Sequence, residues 1–140
     1  MNRTFCLFLL LAALQLTAAA SEEEFVPWQS VTVTSPELPA VGVVTIEAST
    51  QGGVYQKLTV GAFGRTHTLA AAELKRLEGF PLSSLTLTHE AGYSPLGGHT
   101  LRLKFNRTYY DEAKKMTQKA IIIISVPKDA AVTVSEPMPQ

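Results

Sequence analysis

The segment "KAIIIISVP", Lys119 to Pro127, limits the fold more than any other part of this 140-residue chain. Four consecutive isoleucines, Ile121 to Ile124, leave a strand no polar face. Such a run predicts a central strand covered on both sides, by a second sheet or by a helix. The clearest alternation in the chain is "HTLRLKFN", with Leu101, Leu103 and Phe105 facing inward and Thr100, Arg102, Lys104 and Asn106 facing out. That period of two is the signature of a half-buried strand.

Shorter strands read the same way. "SVTVTS" alternates Val31 and Val33 against threonines, and "VGVVTIEAST" sets Val44, Ile46 and Ala48 on one face. "QGG" is a turn, so "VYQKLTVGAF" is expected to return as a hairpin partner. "SSLTLTHE" carries Leu85 and Leu87 on a common side. "THTLAAAELKRLEGF" is different, because Ala, Leu, Glu, Lys and Arg favour helix. Thr68 is placed to cap it, Gly79 and Pro81 to end it, and Leu74 and Leu77 to face the sheet over about two to three turns. "RTYYDEAKKMTQ" reads as a polar connection, and "AAVTVSE" as a last edge strand. Six to seven strands with one short amphipathic helix indicate a mainly β chain, an antiparallel β-sandwich or curved sheet. The alternative is an α+β fold with the helix on one face of the sheet.

The chain opens on "MNRTFCLFLLLAALQLTAAA", an early cation, an apolar run and small residues at positions 18 and 20. This is the layout of a secretory signal peptide cleaved near Ala20, so a secreted or periplasmic protein is expected. Residues 21–28 then form a loose segment, 29–136 a single β-rich domain and 137–140 a frayed tail. Cys6, the only cysteine, falls within the leader, which leaves the mature domain no disulfide and no thiolate. Removing the leader takes away Arg3 and leaves eleven basic residues against twelve acidic ones. A near-neutral domain has no general attraction to nucleic acid, and no transmembrane segment is expected after the leader.

The candidate chemistry gathers in "HEAGYSPLGGH". His89 shares the face of Leu85 and Leu87, and His99 that of Leu101, Leu103 and Phe105. In a hairpin closed by "AGYSPLGG" the two imidazoles lie together, with Cβ atoms about 5 Å apart if directly opposed. They could share a divalent metal, or one could act as a general base beside the other. Glu90 points to the opposite face, and a catalytic zinc needs three protein ligands, a structural one four. A plain pair of strand-end histidines, bonded to backbone or to Tyr93, is the alternative. Tyr93 and Leu96, at the tip of a turn rich in glycine and proline, are candidate partner contacts. Arg102, Lys104, Tyr109 and Tyr110 lie in the densest basic region, where aromatics and cations together could hold an anionic ligand.

Dinucleotide and phosphate loops, the G-x-S-x-G elbow and paired carboxylates are missing from the sequence. "GRTHTLAAAELKRLEGFPLSSLTLTHEAGY", about a fifth of the chain, resembles the strand–helix–strand stretch of the sulfite-oxidase-type molybdopterin domain. That family ligates molybdenum through a cysteine, which the mature domain lacks, so the resemblance implies no such activity here. The sequence points to an exported β-rich binding or accessory protein, without a cofactor, whose partner is a protein or a cell-envelope ligand. A metal-binding protein or metal-assisted enzyme built on His89 and His99 is one alternative. A structural subunit that pairs through an edge strand is another.

Overall fold

The computed structural model describes residues 27–90 and 98–140. In chain order these form β1 (Ser30–Thr34), β2 (Thr45–Gln51), β3 (Val54–Ala62), β4 (Arg65–Thr68), α1 (Ala71–Arg76), a 3-10 turn (Leu82–Ser84), β5 (Thr86–Glu90), β6 (Thr100–Asp111), β7 (Met116–Pro127), β8 (Thr133–Val134) and β9 (Met138–Pro139). Two antiparallel sheets result, β1-β2-β3-β4 and β5-β6-β7-β8, with β9 paired to β7 beside β8. The architecture is mainly β, a two-sheet sandwich with one short helix. No described helix is long and apolar enough to cross a membrane.

Alternation explains the core. Val44, Ile46 and Ala48 of the first sheet are buried as expected, and Leu101, Leu103 and Phe105 of the second are wholly buried. The β2–β3 hairpin closes through Gly52 and Gly53, both at positive φ (58° and 80°), as a tight two-residue turn requires. One residue later the register slips, because Gln56 has no partner between Lys57 and Tyr55. This bulge turns Tyr55 to the inner face along with Leu58 and Val60.

The isoleucine run divides by parity. Ile122 and Ile124 are wholly buried, whereas Ile121 and Ile123 are only half-buried on the outer face. Nothing among the described residues lies over that face as a third layer, so the expected two-sided cover is replaced by flanking residues. Lys104 stands opposite Ile123, and Asn106 opposite Ile121. Long amphipathic stems shield apolar neighbours while keeping the charge wet, which suits Lys104 to this place.

Three other expectations change. The polar stretch "RTYYDEAKKMTQ" is the end of one strand, a turn and the start of the next, paired without a break from Thr100–Pro127 to Asp111–Met116. Most cross-strand pairs there are polar on both sides, so apolar alternation gives no signal. The helix is six residues long rather than two to three turns, and "RTHT", just before it, pairs with β3 as a strand. Thr68 is not its cap; its hydroxyl meets that of Thr59 at 3.1 Å, and Glu73 instead accepts the backbone N–H of Ala70. The C-terminal residues also pair: Met138 lies opposite Ile121, and the amide of Gln140 donates to the carbonyl of Lys119.

The two long sides of the sandwich differ. On one side Arg65 donates to the carbonyls of Pro127 and Lys128, and Arg76 donates to that of Val134, tying β4 and α1 to the second sheet. On the other side β1 and β5 each end a sheet among the described residues, and their half-buried Val31, Val33, Leu85 and Leu87 face a shared apolar trough.

Candidate functional site

His89 and His99 are brought together. Nε2 of His89 lies 3.3 Å from Nδ1 of His99, with the ring planes 21° apart. The pairing is diagonal, since His89 stands opposite Leu101 and Glu90 opposite Thr100. An N–H···N bond needs one ring to donate and the other to accept, and the tautomers set which does which. Glu90 turns to the outer face and pairs with Arg102 at 3.0 Å. His67, on β4 in the other sheet, does not join the pair. Among the described residues no group of three or more His, Cys, Asp or Glu could hold a metal ion. Tyr93 and Leu96 lie outside the described residues.

The expected basic and aromatic cluster is split between faces. Arg102, Lys104 and Tyr110 occupy the outer face of β6, and Tyr110 is more than half exposed. Tyr109 turns the other way, in phase with Leu101, Leu103 and Phe105. The lysines of the β6–β7 turn are locally paired, Lys115 with Glu112 at 3.0 Å and Lys114 with Asp111 at 3.8 Å.

A site that sequence reasoning passed over lies at the inward end of β6. Arg107 continues the core face of that strand where a hydrophobic residue would be expected. Its guanidinium carbon sits 4.7 Å from the centroid of Phe80 and 5.4 Å from that of Tyr109. These are cation–π distances. One terminal nitrogen donates a long 3.4 Å bond to the carbonyl of Glu78, and Nε is buried without a partner. Among the described residues no carboxylate pairs with it, although Arg76, Arg102, Lys57, Lys114 and Lys115 all have one.

The surrounding cavity measures about 360 Å³ and is lined by Pro27, Trp28, Thr50, Phe80, Ser83, Arg107 and their neighbours. Its wall is held in place from below: the buried Tyr55 hydroxyl donates to the carbonyl of Phe80 at 2.8 Å, and burial pushes the phenol's pKa up. Gly79 has φ +79°, and a Cβ there would approach a terminal nitrogen of Arg107 to 2.8 Å. The backbone therefore favours glycine, and a side chain there would push the guanidinium of Arg107 aside. Trp28, the chain's only tryptophan, forms the outer lip and is 55% exposed. The signal for this site was parity: extending "LRLKF" by one residue pair puts Arg107 inside.

No protein-family model, curated protein or solved structure matches the chain.

Proposed function

We propose that this chain is an exported, cell-envelope binding domain that acts without catalysis, and that its ligand occupies the pocket headed by Arg107. The observation that carries the reading is a buried-sided guanidinium, stacked on two aromatic rings, that opens on a cavity of about 360 Å³ with no acidic partner among the described residues. A half-buried charge with an unmet donor is costly unless something anionic completes it. A mostly apolar cavity of this size with one convergent polar group is the usual form of a small-molecule site. Export rests on the leader-like residues 1–20. The test is thermal unfolding with millimolar benzoate against benzylamine. Benzoate should raise the midpoint and benzylamine should not, and Arg107→Gln should abolish the difference. Equal responses to both would overturn the reading.

The 3.3 Å separation of the His89 and His99 ring nitrogens favours a second reading, in which the two imidazoles bind a divalent metal. Zinc or copper should then raise the unfolding midpoint of the protein and leave that of His89→Ala unchanged. For a role in edge-strand pairing, β8 of the C-terminal tail ends its sheet among the described residues, as β1 and β5 end theirs.

A further inference from the structure

The Arg107 pocket does not end at its own walls. Trp28, Leu82 and Ser83 line it and also line the apolar trough between β1 and β5, a further 160 Å³ bounded by Val31, Val33, Leu85 and Leu87. The strand register gives the line of the groove. Leu87, its last lining residue on β5, stands opposite Leu103, four residues along β6 from Arg107. Four residues of strand span about 13 Å at 3.3 Å per residue.

We propose that the groove binds a single-chain anionic amphiphile, a long-chain carboxylate. Its head group meets Arg107 and its alkyl chain lies in the trough between β1 and β5. This rests on the Arg107 pocket being the ligand site and adds the class of ligand. Charge complementarity chooses the head. The planar fork of Arg107, with an unmet Nε donor, suits the two oxygens of a carboxylate. The lining chooses the tail, because the Val and Leu side chains of the trough offer an alkyl chain apolar contact along its length. Trp28, at the junction of head and tail spaces, reports on both.

The experiment follows Trp28 emission in the full chain during titration with hexanoate, octanoate and decanoate, all below their micellar concentrations, and with benzoate and decyltrimethylammonium. Affinity should rise about fourfold for each methylene from hexanoate to decanoate, as expected for buried CH₂ groups. Decyltrimethylammonium should bind at least about tenfold more weakly than decanoate, and Arg107→Gln should erase that preference. Val31→Thr, nearly isosteric, should flatten the chain-length series without changing benzoate binding. If benzoate binds through Arg107 but chain length has no effect, the amphiphile proposal falls and the pocket remains. If no carboxylate changes Trp28 emission or shifts the unfolding midpoint, both fall. A response to decyltrimethylammonium equal to that for decanoate would also overturn the proposal, leaving only an apolar trough.

Discussion

The hydroxyl of Tyr55 donates a 2.8 Å hydrogen bond to the backbone carbonyl of Phe80, joining β3 to the segment that carries the pocket wall. The ring of Tyr55 also meets Phe105 edge-on, with centroids 5.9 Å apart. Because burial raises the Tyr55 pKa above its ordinary value, the unfolded chain releases this proton first as pH rises. The contribution is therefore full below about pH 10 and declines above it. Tyr55→Phe should lower stability by about 1 kcal/mol near neutral pH and should remove part of the alkaline loss. Urea midpoints for both proteins at neutral and strongly alkaline pH give the comparison. Parallel alkaline curves would show that Tyr55 ionises as freely in the fold as out of it.

The isoleucines of β7 make a second comparison within one strand. Ile122→Ala empties fully buried space and should cost about 2–5 kcal/mol. Ile123→Ala, on the half-buried outer face, should cost about 1 kcal/mol or less. Equal losses would mean that the outer face is covered as completely as the inner one.

At Gly79 a methyl group has two effects. Gly79→Ala should destabilise by about 1 kcal/mol from its positive φ. It should also weaken benzoate binding by more than Ser83→Ala does, because only the former displaces the guanidinium of Arg107. Calorimetric unfolding and Trp28 emission separate the two effects. Unchanged binding in Gly79→Ala would show that Arg107 can move aside at no cost to the site.

The C-terminal tail sets a fourth expectation. A chain ending at Pro127 loses β8, β9, the nearly buried Val134 and the Ser135 hydroxyl that accepts the amide of Ile123. It should unfold at a clearly lower urea concentration than the full chain. A tail that served only to join other molecules would leave that midpoint where it was.

What could be read in the sequence was whatever depended on alternation of apolar and polar residues. Leu101, Leu103, Phe105, Val44 and Ile46 were assigned to the core because each strand carries its own wet face as a reference. Parity also put His89 and His99 on one face and Glu90 on the other. The long β6–β7 hairpin was not legible beyond Asn106, since Arg107, Thr108, Tyr109 and Tyr110 are polar or amphipathic on both sides. The strand "RTHT" was not told apart from the approach to the helix, because its partner is β3, across a two-residue turn at Phe63 and Gly64, and four residues are too few to show an alternation. Arg107 was missed for a related reason. A cation among cations looks like surface, and only its phase with Leu101 reveals that it faces inward.

The guanidinium ties of Arg65 and Arg76 give the sandwich a bound spine, while the facing edges of β1 and β5 form an unstitched fore-edge. Parting that fore-edge breaks apolar contacts but no described inter-sheet hydrogen bond of the kind that holds the spine. A slender guest could then be admitted sideways, along its whole length at once, instead of being threaded end-first past Trp28. Loading would scale with how easily the two covers part, and amides of β1 and β5 would exchange with solvent sooner than those of β3 and β7.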